Sequence, residues 1–312
     1  MKGFLLLLAL LGGGQAPSPV RAVPEVQPAA PGFYQVALAQ RDPSLLRFVV
    51  VGDTGKGAGT VTAGIKAVHA RTPLDAVVVT GDNFYPCGVT SADDPRWSLI
   101  RPLATIGVPL LPILGNHDFC GNSKPLAQID APLPNWRFPA RQYTASSPRA
   151  EFLFLDTTPF AAERDLGSVP AAIAAFGRNP SPENKAVRRW RIVAGHHVIV
   201  SSGWHGRFPR REHARMLTLL KPLKDANVDL YLCGHDHHLE LLDTRPRILL
   251  SGAGSSPVPP LARRPKTIWP NDPMRTIGFA VVELTAEKMT VRFFDASGTP
   301  LSRLMTFLKS GE

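Results

Sequence analysis

The chain is predicted to be an α/β protein, a parallel sheet followed by a second and more antiparallel one, and three observations lead there. From Leu46 to Gly234, short apolar and β-branched runs alternate with helix-length stretches, the pattern of a parallel sheet fed by helical crossovers. Five of those runs close on glycine followed by ligand-type residues. They are Gly52-Asp53, Gly81-Asp82, Gly115-Asn116-His117-Asp118, Gly195-His196-His197 and Gly234-His235-Asp236-His237. Open α/β sheets place their ligands at the carboxyl ends of strands. After Gly234 the strands become short and turn-bounded, with no helices between them, which predicts a second, more antiparallel sheet.

Taken in order, Leu46–Val51 is the first strand and Ala58–Arg71 the helix returning from it. The Gly-rich turn between them carries Gly55-Lys56, but Gly57 stands where a nucleotide loop needs Ser or Thr, and the leading glycine is missing. Asp75–Gly81 is the second strand, Arg96–Ile106 a helix and Val108–Leu114 the third strand. Asn122–Ser147, rich in Pro and aromatics, reads as loop, and Ala150–Asp156 as a strand. Pro170–Pro182 is open between helix and loop. Arg191–Gly195 is a strand, Pro209–Ala226 a helix that Pro222 shortens or kinks, and Val228–Gly234 a strand. The late strands are Leu239–Asp243, Arg247–Ser251, Gly278–Leu284 and Lys288–Asp295.

The ends and the composition bound the function. Met1 to Ala22 reads as a secretory signal: Lys2, an apolar Phe4–Leu11 and a Val20-Arg21-Ala22 cleavage site. That run is too short for a membrane span, and no other segment is long enough. Export, to a periplasm or the medium, is expected. Residues 23–43, rich in Pro and Ala, read as a linker or loosely packed arm, and residues 44–312 as a single catalytic domain. The net charge of +10 falls to +8 without Lys2 and Arg21. Arginine is spread rather than clustered, so no dedicated nucleic-acid binding is expected, while a positive field suits phosphate substrates. Of the three cysteines, Cys87 and Cys120 each lie just past a strand-end motif and are a candidate disulfide if the loops meet. Cys233 is expected in the core.

Asp, Asn, His and Tyr delivered by five strand ends are hard oxygen and imidazole donors suited to iron, zinc or manganese. Two such ions about 4 Å apart can hold a phosphate and acidify a water for in-line attack. His69 and His213 lie in helical segments, away from these stretches. The residues thus point to a two-metal site for phosphate ester hydrolysis.

The ordered set Asp53-x-Gly55, Gly81-Asp82-x-x-Tyr85, Gly115-Asn116-His117-Asp118, Gly195-His196 and Gly234-His235-x-His237 resembles the motifs of the calcineurin-like metallophosphoesterases. Tyr85 is similar to the purple acid phosphatases of the small, mammalian-like type. The likeness runs from Leu46 to Asp295 and includes Asn135-Trp136-Arg137-Phe138-Pro139 and Leu250-Ser251-Gly252-Ala253-Gly254. It implies a four-layer α/β/β/α sandwich of two mixed sheets and an acid phosphatase acting on small-molecule phosphomonoesters. Asp53, Tyr85 and His237 would hold ferric iron, Asp82 would bridge, and Asn116, His196 and His235 would hold a divalent iron, zinc or manganese. His117 would protonate the leaving group, Asp118 would orient His117 or support the turn, and His205 would assist with phosphate or the proton. His197 follows His196 where the family often has an aromatic residue, so either of the pair is a candidate ligand. Thr54 replaces a common aromatic residue. A phosphodiesterase on the same scaffold, or an inactive phosphate-binding protein, is the alternative.

Overall fold

The computed structural model describes residues 26–28, 34–178, 189–207, 210–270 and 275–309. The segment read as a signal peptide lies outside them. In chain order the strands are β1 (Val26–Pro28), β2 (Tyr34–Ala37), β3 (Leu46–Val51), β4 (Ala76–Val79), β5 (Leu110–Pro112), β6 (Tyr143–Ser146), β7 (Ala150–Leu155) and β8 (Trp190–Gly195). They continue with β9 (Leu230–Cys233), β10 (Leu239–Leu242), β11 (Arg247–Ser251), β12 (Thr267–Trp269), β13 (Gly278–Leu284), β14 (Lys288–Asp295) and β15 (Met305–Leu308). The helices are α1 (Gly59–Arg71), α2 (Trp97–Ala104), α3 (Thr158–Ala161), α4 (Ser168–Arg178), α5 (Arg211–Leu217) and α6 (Leu220–Asp225).

These strands build two mixed sheets, in the orders β15-β14-β13-β3-β4-β5 and β1-β2-β6-β7-β8-β9-β11-β10-β12. The expectation that the late strands form a sheet of their own is corrected. Strands β13 and β14 join β3 in the smaller sheet, while β10 and β11 join β9 in the larger. The sheets pack face to face, with the Phe48 and Phe152 rings edge-on at 5.4 Å. The period-two alternation of β7 divides its buried residues between two cores. Phe152 and Phe154 fill the space between the sheets, and Leu153 and Leu155 face the opposite way. There they pack with Val169 and Ile173 of α4, Met216 of α5 and Leu223 of α6. Helices α1 and α2 cover the other sheet through Val61, Ile65, Ile100 and Leu103. Helix, sheet, sheet and helix layers result, as the resemblance implies.

Several elements depart from the sequence reading. Residues 34–38 of the supposed arm belong to the sheet: β2 pairs parallel with β6, and Val36 is fully buried. An apolar Val-Ala-Leu stretch costs less in a sheet than in water, whatever the Pro content around it. Within the stretch read as loop, Tyr143–Ser146 forms β6, with Tyr143 buried and stacked on Phe154 at 4.4 Å. The helix expected at 209–226 is two, α5 and α6, with Pro222 in the second.

What matters for the site is the parallel register. β3 pairs with β4 (Val51 opposite Val79), and β4 with β5 (Val79 opposite Pro112). β8 and β9 run parallel likewise, with Ala194 opposite Leu232. The glycine-terminated ends therefore leave their sheets side by side, at one edge.

Candidate metal centre

Each ligand-type residue sits one to a few positions past a strand. Asp53, Asp82 and His235 have φ of 57°, 51° and 70°. This left-handed backbone is uncommon outside glycine and clusters at functional sites, because its strain must be offset by surrounding structure. Glycines let the loops approach one another: a Cβ on Gly115 would lie 2.2 Å from Asp82 Oδ1, and one on Gly234 2.4 Å from Asp53 Oδ2.

Two groups of donors face each other across Asp82. In the first, the Tyr85 hydroxyl lies 3.1 Å from Asp53 Oδ1, 3.0 Å from Asp82 Oδ2 and 3.1 Å from His237 Nε2. In the second, His196 Nε2 lies 3.1 Å from Asn116 Oδ1, 3.4 Å from Asp82 Oδ1 and 3.2 Å from His235 Nδ1. His235 and His237 thus face different groups, as alternation along an extended turn requires.

Hydrogen bonding shows that these groups suit cations. His237 Nδ1 faces the Ser256 carbonyl at 2.9 Å and His196 Nδ1 the Thr80 carbonyl at 2.8 Å. Those carbonyls can only accept, which assigns the proton to Nδ1 and turns each Nε2 lone pair into the cluster. The Tyr85 hydroxyl has one proton for three acceptors. Acceptors crowded this closely need a positive charge among them. Protons answer the same demand: burial disfavours charge on His196, yet the Asp82 carboxylate raises it to about 10. Burial likewise opposes ionisation of Asp82, but His196, with His117 and His235, holds it well below the usual carboxylate range. Burial, then Asp53 and Asp82, push the Tyr85 phenol far up; only a cation beside it would favour the phenolate.

Around the cluster, the His117 backbone N–H donates to Asp82 Oδ1 at 2.9 Å, and its Nδ1 faces the Pro86 carbonyl at 2.6 Å. The His117 ring packs edge-on against Tyr85, 4.5 Å between centroids. Asp118 does not orient His117; that alternative is corrected. Its buried carboxylate accepts from Gly115 N at 2.8 Å, Asn83 N at 3.3 Å and Gln128 Nε2 at 2.9 Å, so it braces the turn. Asn116–Phe119 is a 3-10 turn, in which adjacent side chains diverge by about 120°. Burial and the Asp82 charge raise Asp118 to about 7.

His205 comes to the cluster from the loop after β8, its ring centroid 3.9 Å from that of His235. Of the pair in question, His196 joins Asn116 and Asp82, while His197 binds Thr157 Oγ1 through Nδ1 at 2.8 Å. His197 also forms, with His235 and Glu212, a group whose donor atoms lie within 4.8 Å. Glu212 Oε1 is 2.8 Å from His235 Nε2 and 3.5 Å from His205 Nδ1. Burial opposes its ionisation, but bonds with His205 and His235 hold it far below the usual range. Sequence reasoning missed Glu212. An acid in the first turn of a helix ordinarily serves the helix dipole, and no strand end precedes it. His69 and His213 stay in α1 and α5, outside the cluster.

Cys87 and Cys120 form a disulfide, with Cα atoms 5.2 Å apart and a sequence separation of 33. It joins the loop following Tyr85 to the turn carrying Asn116 and His117. Cys233 is a buried free thiol. Closing a loop of that length should stabilise by about 3–4 kcal/mol. Double replacement by serine should therefore lower the urea midpoint clearly; an unchanged midpoint, or one unmoved by reductant in the parent protein, would remove this role.

The calcineurin-like phosphoesterase family matches residues 46–239. The chain is 30% identical over 290 residues to purple acid phosphatase 4 of Arabidopsis thaliana, covering 83% of this chain and 82% of the relative. It is 30% identical over 301 residues to tartrate-resistant acid phosphatase type 5 of Rattus norvegicus, covering 83% and 89%. In fold it is similar to GAP50, described as the anchor in the inner membrane complex of Plasmodium, with a TM-score of 0.70, 22% identity and coverage of 86% and 90%. With the family match spanning more than half the chain and these relatives aligned over most of both lengths, the chain belongs to the calcineurin-like phosphoesterases and, among them, to the purple acid phosphatases.

Proposed function

We propose that the protein is an exported acid phosphatase that hydrolyses phosphomonoesters at a binuclear metal centre. The observation that carries this reading is the Tyr85 hydroxyl held within 3.1 Å of Asp53, Asp82 and His237, next to the His196 group. Asp53, Tyr85 and His237 would hold a ferric ion and Asn116, His196 and His235 a divalent iron, zinc or manganese, with Asp82 shared. Phenolate is a hard anionic donor, which favours a trivalent ion on its side. When bound, the two ions supply charge for the phosphate oxygens and acidity for an attacking water.

The protein's own groups do the rest. His237 and His196 are oriented by the Ser256 and Thr80 carbonyls, so no reorganisation is needed at the moment of reaction. His117, anchored through Nδ1 to Pro86, presents Nε2 as the proton donor to the leaving oxygen. His205 flanks the same region and serves as a second donor or a phosphate contact. Export is supported by the residues before Val23, and N-terminal sequencing of secreted protein should begin at or near that residue.

The test is the visible spectrum with metal analysis on one sample. A purple or pink band that disappears in Tyr85→Phe is expected, because the colour arises from phenolate-to-ferric charge transfer. A colourless protein holding two equivalents of zinc or manganese would sink the ferric assignment. Rates on a monoester and a diester then decide the substrate class: a diester hydrolysed faster would replace this reading with a phosphodiesterase.

A further inference from the structure

The imidazoles of His196, His235 and His237 are not held alike. His237 and His196 turn Nε2 into the cluster, each with Nδ1 on a backbone carbonyl, of Ser256 at 2.9 Å and of Thr80 at 2.8 Å. His235 is reversed. Its Nδ1 lies 3.2 Å from His196 Nε2, inside the second donor group, and its Nε2 meets Glu212 Oε1 at 2.8 Å. An ionised carboxylate only accepts, so the proton belongs on Nε2 and the Nδ1 lone pair is left for the cluster. The same oxygen stands 3.5 Å from His205 Nδ1, beyond a normal hydrogen bond, so the carboxylate is committed to His235. Two rings are thus fixed by neutral backbone, and the third by a charged side chain from another element.

That element is held in place. Glu212 lies one turn before Met216 of α5, on the same helix face. Met216 is fully buried, in the apolar cluster that holds Val193 of β8 and Tyr231 of β9. Arg215, three residues after Glu212, binds the Ala161 carbonyl and the Glu163 carboxylate, which ties α5 to the end of α3. An acid in a first helical turn also suits the helix dipole, but that role is served from solvent and needs no bond to His235.

We propose that Glu212 is the positioning residue of the divalent-metal site: its carboxylate holds His235 in the tautomer that turns Nδ1 inward, and so sets how tightly that site keeps its ion. The inference rests on the binuclear reading above. A carboxylate behind a ligand imidazole orients the ring and raises its basicity, and its loss ordinarily costs about 10–100-fold in metal affinity. Asp53, Tyr85 and His237 make no contact with Glu212 in this arrangement, so the effect is confined to one of the two ions.

Stepwise release of metal tests it. The metal-replete protein is titrated with a chelator, and the metal retained is counted at each step. In Glu212→Ala the more weakly held equivalent should leave at about 10–100-fold lower chelator concentration, and the other at the parent concentration. Glu212→Gln, whose side-chain carbonyl still accepts from Nε2–H, should recover part of the loss. Unchanged release, or both equivalents loosened alike, would overturn the positioning role. So would a third equivalent bound by the parent and lost in Glu212→Ala, because Glu212 would then be a ligand itself. The parent protein supplies a measurement that needs no variant. Loaded with zinc, which is diamagnetic, it should show by 15N NMR a protonated Nε2 on His235; a protonated Nδ1 would sink the proposal. Selective release in a protein that hydrolyses no ester would uphold Glu212 while the phosphatase reading falls. Unchanged release with full phosphomonoester turnover would do the reverse.

Discussion

Asp82→Asn should leave a protein that no longer retains two equivalents of metal and turns over at least about 10³-fold more slowly. Bound metal supplies several kcal/mol of transition-state charge stabilisation, and each ~1.4 kcal/mol is a factor of ten. Asp82 is 1% exposed and reaches both donor groups, Oδ2 toward Tyr85 at 3.0 Å and Oδ1 toward His196 at 3.4 Å. Asp53 also reaches both, but it meets the second group only at the His235 backbone N–H, 3.0 Å from its Oδ2. The amide keeps the shape and removes the shared charge, so the folded scaffold should survive. Chelation provides the second readout. Ligands that bind only the native state raise its stability, so a chelator should lower the melting temperature of the parent protein and leave that of Asp82→Asn nearly unchanged. A variant that retains both metals, or responds to chelator like the parent, would show that Asp82 is not the shared ligand.

Why the cluster was legible in sequence, and its surroundings were not, follows from how each is encoded. Asp53, Asp82, Asn116, His196 and His235 are announced locally, because a buried strand must end in a turn that supplies positive φ or close approach. Glycine and Asp at such a turn are visible in a few residues. Parallel register does the remaining work of bringing the ends together. Glu212 carries no such local mark: it reaches His235 only because α5 joins, through Met216, the apolar cluster that holds Val193 of β8 and Tyr231 of β9, a long-range fact. The split of the late strands has the same origin. Gly278–Leu284 reads as a strand from its own composition, but its pairing with Leu46–Val51 across more than two hundred residues is written in no local pattern. Short strands such as β2 and β6 are the weakest case. Four residues of moderate β-propensity in a Pro-rich or polar setting become strands only because a neighbour offers a ladder. Asp118 shows a different limit. Adjacency to His117 suggests a couple, but the turn type sends the two side chains apart.

His117→Ala should lower turnover of an alkyl phosphomonoester by about 10²–10⁴-fold, the usual worth of a positioned general acid, while metal content stays at two equivalents. The separation is possible because what His117 gives to the metal centre is its backbone. Its N–H donates to Asp82 Oδ1 at 2.9 Å, and alanine keeps that bond. What is lost is the ring, with Nδ1 tied to the Pro86 carbonyl at 2.6 Å and one face against Tyr85. A proton donor matters most when the leaving oxygen is a poor leaving group. The loss should therefore be large for glycerol phosphate and much smaller for p-nitrophenyl phosphate, whose phenolate departs without help. That contrast separates proton donation from mere positioning. An equal loss on both substrates, or a loss of metal in step with activity, would make His117 a structural residue. If His205→Ala instead showed the leaving-group dependence, the donor would be assigned to His205, whose ring stands 3.9 Å from that of His235.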